Sequence, residues 1–359
     1  MRLSGYKEFK NPLGLRGDYF YCPLSLVLDA YWNCSTRCAH CFLRRLNRTW
    51  GEEQRLADPE KIRRRLLNGL KNPHPKSDLA VVLKLKKTIR FGNKSDPFQP
   101  DEQKFGVAGR ILEVLADLNW NAVIQTKGLS LLREHEELLF QRGNFVVLAV
   151  VTCGLEKDWE LLEGRRTTNP IERLRILSDW KNRGLRVGVN GEPFIPGYHS
   201  EKDFEETMKL LKSLGLDSYN VYNLHMNDWV LKSLLEAGLD IERIYHLNQD
   251  WAWRRTLRRL LEIADRYGVR VACPDFVNTG LRREPFNTCC GVDVDNPMRF
   301  NTHFWKPLWM EGLSVEEIIQ RTYEGYGDLD KARRIISGEE LNLYTMKDVV
   351  RVNGGKNEV

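Results

Sequence analysis

The feature that most constrains this chain is a regular exchange of short apolar runs and helical stretches. FVVLAVVT (145–152) is continuously apolar, as a strand covered on both faces must be. SLVLDAYWN (25–33), NAVIQTK (121–127), LRVGVNGEPFI (185–195), SYNVYNLH (218–225) and VRVACPDF (269–276) also read as strands. LAVVLKLKKTIRFGN (79–93) holds another in its second half, ending at Gly92. The stretches 57–72, 102–119, 129–143, 169–184, 201–215 and 249–268 have helical apolar spacing. Asp58 before Pro59 and Asn169 before Pro170 are start signals, and Gly184 is a stop. Strand–helix alternation of this kind predicts an α/β fold with a parallel sheet under helices. At least six β/α units fit between residues 25 and 225. The pattern alone allows a doubly wound open sheet or a full or partial barrel. In a barrel, functional residues sit at the carboxyl ends of the strands.

The chain has eight cysteines in 359 residues. A core of this size does not need disulfides, and clustered thiols in a reducing compartment more often hold metal or do chemistry. Cys34, Cys38 and Cys41 have the spacing C-x3-C-x2-C and follow the first strand directly. A [4Fe–4S] cluster normally takes four protein thiolates. Three leave one iron open to chelate the amino and carboxylate groups of a small molecule. The alternative is a structural zinc with His40 or Cys22 as fourth ligand. Zinc knuckles usually use C-x2-C pairs, and this triplet has no partner pair.

The triplet in this position resembles the motif of the radical S-adenosylmethionine (radical SAM) superfamily. The resemblance implies a partial (β/α)6 TIM-type barrel holding a [4Fe–4S] cluster and S-adenosylmethionine. It also implies a one-electron donor such as flavodoxin or ferredoxin, cleavage of the cofactor to methionine and a 5′-deoxyadenosyl radical, and hydrogen abstraction from a substrate. FGNKSDPFQP (91–100) looks like the G-T-x-T-D-P-Y-Q-P stretch of the spore photoproduct lyase-like branch. There the strand end helps to hold the methionine part of the cofactor, so Gly92, Asn93, Lys94, Ser95 and Asp96 are expected to line the ligand. The bland reading is a Ser-Asp-Pro turn. Gln125-Thr126-Lys127 is similar to the branch's I-x-T-K-S, and Lys127 would pair with the cofactor carboxylate. The Thr152 hydroxyl would bond ribose or methionine groups. Glu163 and Arg173 match the branch's L-E-P and following helix start, either as a buried pair or with Arg173 on the carboxylate. Asn190 and Glu192 would contact ribose and adenine, and Tyr222, Asn223 and His225 would face the substrate.

Spore photoproduct lyases also use a cysteine beyond the triplet as a hydrogen-atom donor, and 79–91 contains none. Cys153 is a candidate replacement or else a buried small hydrophobe. Cys273, Cys289 and Cys290 are read three ways: ligands of a second cluster, substrate-side hydrogen donors, or inert thiols. The catalytic candidates are therefore Cys153, Cys289, Cys290 and Tyr222.

Lysine and arginine exceed aspartate and glutamate by 55 to 49, a formal charge of +6. Trp251, Trp253, Arg254, Arg255, Arg258 and Arg259 make an aromatic–basic helix, and Arg63 to Arg65 a second basic cluster. Such mixtures can grip phosphates and stack bases, or can simply be solvated faces. The leading expectation is radical chemistry on a nucleic-acid base, nucleotide or modified nucleobase, rearrangement included, with lyase, isomerase or transferase type open. The alternatives are a peptide or amino-acid metabolite as substrate, and a non-enzymatic zinc- or cluster-stabilised nucleic-acid-binding protein. We expect a lead-in (1–24), a core (25–225), a C-terminal α/β extension capping the substrate (226–351) and a flexible tail (352–359). No apolar run approaches ~18 residues, and MRLSGYKEFKNP lacks a secretory stretch. A cytoplasmic protein with no membrane partner is therefore expected.

Overall fold

The short apolar runs form β3 (Leu26–Leu28), β5 (Ile89–Phe91), β6 (Ala122–Thr126), β7 (Phe145–Val150), β8 (Arg186–Asn190), β9 (Ser218–Asn220) and β10 (Arg270–Ala272). Between and before them lie β1 (Lys7–Glu8), β2 (Leu13–Leu15) and β4 (Arg55–Leu56). This computed structural model describes residues 6–15, 24, 26–42, 53–75, 77–141, 143–273, 286, 288 and 290–297. One sheet runs in the order β10-β9-β8-β7-β6-β5-β3-β2, all pairs parallel except β2 on β3. The strands β3 to β9 of this sheet are the six parallel strands of a partial barrel. β1 and β4 form a separate parallel pair.

Strand pleating sends alternate side chains to opposite faces. Ile89, Phe91, Ala122, Ile124, Phe145, Val147 and Ala149 enter the large apolar core under the helices. Val123, Val146 and Leu148, of the other parity, face inward and join Leu24, Cys290, Val292 and Val294. The segment 290–297 therefore lies along the inner face. A Cβ at Gly188 on β8 would stand 2.4 Å from Val292 Cγ1 and 3.1 Å from the Gly291 carbonyl, so only glycine admits it there. The segment's end is fixed below the strands. Lys87 Nζ donates to Asn296 Oδ1 (3.0 Å), and Asn296 Nδ2 donates to the Leu85 and Lys86 carbonyls.

Helix starts follow the sequence signals. Asp58 accepts from Glu60 and Lys61 N–H at the head of Pro59–Lys71, and Asn169 caps Pro170–Asn182. Two expected helices are divided. Gly106, in left-handed backbone (φ 56°), separates Glu102–Phe105 from Val107–Asp117. The stretch 129–143 becomes Leu129–Arg133 and Glu136–Gln141. The strands expected over 185–195 and 218–225 end at Asn190 and Asn220 and continue as loops. Pro193 has no N–H to extend the first ladder.

The expected core boundary at 225/226 does not mark a break in the sheet, because β10 pairs with β9 in the same ladder. The expected tail, and all the residues beyond 297 assigned to a cap, lie outside the described residues. No helix among the described residues is long and apolar enough to cross a membrane.

Candidate active site

The carboxyl ends of β3 and β5 to β9 surround a cavity of about 220 Å³. The loop after β3 brings Cys34, Cys38 and Cys41 to its wall, with Thr36, His40 and Phe42. β5 and its loop supply Arg90 and Gly92 to Asp96, β6 supplies Gln125 and Lys127, and β7 supplies Val150. Asn190, Glu192 and Pro193 follow β8, and Tyr222 to His225 follow β9. Cys290 completes the wall from the inner segment.

The cysteine loop hangs from two glutamines. Gln54 Nε2 donates to the Asn33 carbonyl (3.1 Å), and its Oε1 accepts from Asn33 N–H (2.9 Å). Gln99 Nε2 donates to the same carbonyl (3.0 Å), and its Oε1 accepts from Ser35 N–H. Ala39 N–H donates to the Leu162 carbonyl (2.8 Å). The SDPFQP stretch is thus a support of the cysteine loop as well as a wall.

The turn after β5 is organised by a carboxylate. Asp29 Oδ1 accepts from the N–H groups of Asn93 (2.8 Å), Lys94 (2.8 Å) and Ser95 (3.2 Å). Burial pushes its carboxyl above the usual range, against those three donors. Asp96 accepts from Lys127 N–H (2.6 Å), Phe98 N–H (3.0 Å) and the Thr126 hydroxyl, which joins the ends of β5 and β6. Burial raises its carboxyl also, more than those bonds lower it. Gly92 has φ 97°, and a Cβ there would stand 2.5 Å from the Gln125 carbonyl.

Lys127 is the centre of the buried charge. Its ammonium lies 2.6 Å from Glu163 Oε1, 3.2 Å from His40 Nε2 and 3.5 Å from Cys38 Sγ. Glu163 also takes Arg173 and the Thr167 hydroxyl (2.7 Å). Arg173 donates further to the carbonyls of Thr168 (2.6 Å) and Val150 (2.6 Å). Burial acts to neutralise Lys127, but the negative charge that Cys38 carries when ionised and the Glu163 carboxylate outweigh it and hold the ammonium above its ordinary value. Burial likewise opposes the Glu163 charge, and Lys127 and Arg173 overcome it, so this carboxyl is held far down. The cysteines move the other way. Burial pushes Cys34 up to about 11 and Cys38 up to about 12. Unligated, both are thiols at neutral pH, so stable thiolates here call for a bound metal.

Burial, then Lys127, lowers His40 to about 3, so its ring is neutral. With Nε2 accepting from Lys127, Nδ1 carries the hydrogen. That buried atom has no hydrogen-bond partner among the described residues and is available to a ligand. A single zinc ion needs its thiolates at ~2.3 Å, and among the described residues no group of three His, Cys, Asp or Glu side chains converges in that way. A four-iron cluster takes each thiolate on a different iron, and Cys34, Cys38 and Cys41 all line this one cavity. Cys22, the other zinc candidate, lies outside the described residues.

Of the residues expected from sequence, Cys34, Cys38, Cys41, Gly92, Asn93, Lys94, Ser95, Asp96, Lys127, Asn190, Glu192, Tyr222 and Cys290 line the cavity. Four other expected residues, Thr152, Cys153, Glu163 and Arg173, are not part of this lining. The Thr152 hydroxyl bonds Asp158, which pairs with His199 Nε2 (2.8 Å). Cys153 sits in the helix-side core, where burial pushes its thiol well up, so it is not placed to serve a cavity ligand. Glu163 and Arg173 form the buried pair that was one of the two alternatives. Cys273 belongs to the helix-side core and Cys290 to the inner cluster, while Cys289 lies outside the described residues. Sequence reasoning passed over Asp29, Arg90 and the Asp158–His199 pair, and quoted Gln99 and Gln125 within motifs without giving them a role. Asp29 alone carried a signal, an acid at the end of an otherwise apolar strand.

No protein-family model matches the chain. It is 29% identical over 164 residues to an uncharacterized protein of Acidianus two-tailed virus, covering 44% of this chain and 54% of the relative. It is 22% identical over 213 residues to an uncharacterized protein of Mycobacterium tuberculosis, covering 57% of this chain and 60% of the relative. The chain thus spans between half and two thirds of the length of these curated relatives. Among solved structures it is similar to Streptococcus suis SuiB bound to S-adenosylmethionine, with a TM-score of 0.49 and 15% identity over 70% of this chain and 51% of that one. It is also similar to a spore photoproduct lyase variant with dinucleoside spore photoproduct, with a TM-score of 0.49 and 14% identity over 72% and 80%.

Proposed function

We propose that this chain is a radical SAM enzyme acting on a nucleobase, free or within a nucleic acid. One observation carries the first half of the reading: the C-x3-C-x2-C cysteines stand together at the wall of a cavity built from six consecutive parallel strand ends. Cys34, Cys38 and Cys41 would hold a [4Fe–4S] cluster, with the cofactor beside it. Bound there, the pair would supply a 5′-deoxyadenosyl radical able to abstract hydrogen. The Asp29-pinned turn offers backbone and short polar side chains at 92–95 for an ammonium group. Asn190 and Glu192 would serve hydroxyls, and the His40 Nδ1 hydrogen an acceptor. Val150 and the aromatic residues near the mouth reduce water at the reacting centre.

The second half rests on flat rings and cations. Tyr222 and His225 stand with ring centroids 4.9 Å apart, and His225 and Phe42 5.0 Å apart. All three rings line the cavity, and a planar group can stack on the open face of such a row. Asn248 clamps Leu224 of the cavity wall through paired bonds (3.2 and 2.8 Å) and carries the chain into the helix Asp250–Tyr267. At its head Trp251 is 60% exposed, and Arg254, Arg255 and Arg258 are exposed with no ion pair among the described residues. Trp253 is buried and Arg259 is paired with Glu201, so they leave that face. Unpaired arginines beside an exposed indole suit a phosphodiester strand better than a neutral peptide.

The test is anaerobic reconstitution with iron and sulfide, then dithionite and S-adenosylmethionine. 5′-Deoxyadenosine should form, and deuterium from a labelled oligonucleotide or nucleotide should enter it. A fully loaded protein that releases no 5′-deoxyadenosine would overturn the enzyme reading. Transfer from a labelled peptide only would replace the substrate.

A further inference from the structure

Lys127 stands where the sequence places a partner for the cofactor carboxylate, yet its surroundings give it another occupation. An ammonium has three N–H donors. Cys38 Sγ, His40 Nε2 and Glu163 Oε1 are the groups within reach of them, at 3.5, 3.2 and 2.6 Å. Glu163 is in turn fixed by Arg173, and the two side chains are 2% and 1% exposed. Lys127 is therefore held from behind, pointing at one particular thiol of the three.

We infer that Lys127 is a tuning residue: it donates to the Cys38 thiolate and sets the reduction potential of the cluster that this thiolate would bind. The inference rests on the cluster reading above. Hydrogen bonds to ligand sulfurs, and net charge around them, are principal determinants of such potentials. One electron delivered by a low-potential donor adds one negative charge beside Cys38. A buried ammonium stabilises that added charge, so Lys127 favours the reduced state. Glu163 works against it, because its carboxylate draws the ammonium away and lends its own negative charge to the site. Arg173 moderates Glu163 from the far side. Lys127, Glu163 and Arg173 then form a graded series, and removing its first two members should move the potential in opposite directions. The sign difference separates tuning from simple structural support, which would lower cluster loading in both variants without a directed shift.

The experiment is an anaerobic redox titration of the reconstituted holoprotein, followed by the electron paramagnetic resonance signal of the reduced cluster, with iron content measured in parallel. Lys127→Met should favour the oxidised cluster by about tenfold, which for one electron is about 59 mV more negative. Lys127→Arg should recover most of that shift, and Glu163→Gln should move the potential the other way. Equal potentials in wild type and Lys127→Met at full iron content would overturn the inference while leaving the cluster reading intact. Weakened S-adenosylmethionine binding without a change in potential would return Lys127 to the carboxylate role. A wild-type protein that binds no cluster would sink both.

Discussion

Two zones of the same inner face of the sheet differ sharply. Near the strand starts, Val123, Val146, Leu148 and Gly188 meet Val292 and Val294, and the chain fills its own interior. One or two pleats further on, the same parity presents Gln125, Lys127, Val150 and Asn190, and the interior opens into a cavity. The lower zone is closed by apolar contact. The upper zone spends burial on charge, hydrogen-bond donors and thiols. Packing alone does not require Lys127, Glu163 and Arg173 in one buried network, since an apolar replacement of similar volume is often as stable. Under the proposed function, chemistry belongs above and stability below, and substitutions in each zone should have different signatures.

The largest effect belongs to the upper zone. Cys38→Ala should abolish the brown chromophore and 5′-deoxyadenosine formation while leaving the far-ultraviolet circular dichroism of the fold unchanged; full iron retention would contradict the ligand assignment. Next comes Glu163→Gln, which leaves two buried cations sharing a neutral amide. Loss of one partner of a buried pair costs roughly 3–5 kcal/mol, read as a fall in denaturation midpoint at neutral pH. The pH dependence has a definite sign. The Glu163 carboxyl is depressed in the folded state, so its contribution is complete above the ordinary carboxylate range and fades as pH falls through the folded value. The gap between wild type and Glu163→Gln should therefore narrow on acidification. A gap independent of pH would mean that Glu163 acts through shape alone.

In the lower zone, Gly188→Val should cost about 1–3 kcal/mol by overpacking and show first as a lower melting temperature, with cluster content reduced less than stability. An unchanged melting temperature would mean that 290–297 does not occupy the inner face. The smallest effect lies outside both zones. Each of Arg254→Ala and Arg258→Ala should lower the salt-dependence slope of oligonucleotide binding by about 1, with melting temperature unmoved. A slope equal to wild type would detach that helix from substrate binding.

The upper zone was the more legible in sequence. Apolar runs fixed where strands lie, and polar residues at their carboxyl ends, the C-x3-C-x2-C loop above all, marked the cavity wall. The four expected residues outside the lining share a cause. Thr152, Cys153, Glu163 and Arg173 are close in sequence to a strand end, but a strand's neighbouring residues point to opposite faces, and the loop that follows need not turn inward. The roles of Asp29 and Gln99 escaped notice because their partners are backbone groups 64 to 66 residues away, a relation that no local pattern encodes. The inner segment was hidden more deeply. Nothing in Gly291-Val292-Asp293-Val294 distinguishes it from an ordinary loop; only the missing side chain of Gly188, a hundred residues earlier, leaves room for it.

The placement of that segment also has a temporal side. A ribosome releases Cys34, Cys38 and Cys41 well before residues 290–297, and N-terminal parts fold first during synthesis. Until the late residues arrive, the barrel lacks its filling and Cys290 is missing from the chamber's wall. The apolar inner face is therefore completed late, by a segment made long after the three cysteines.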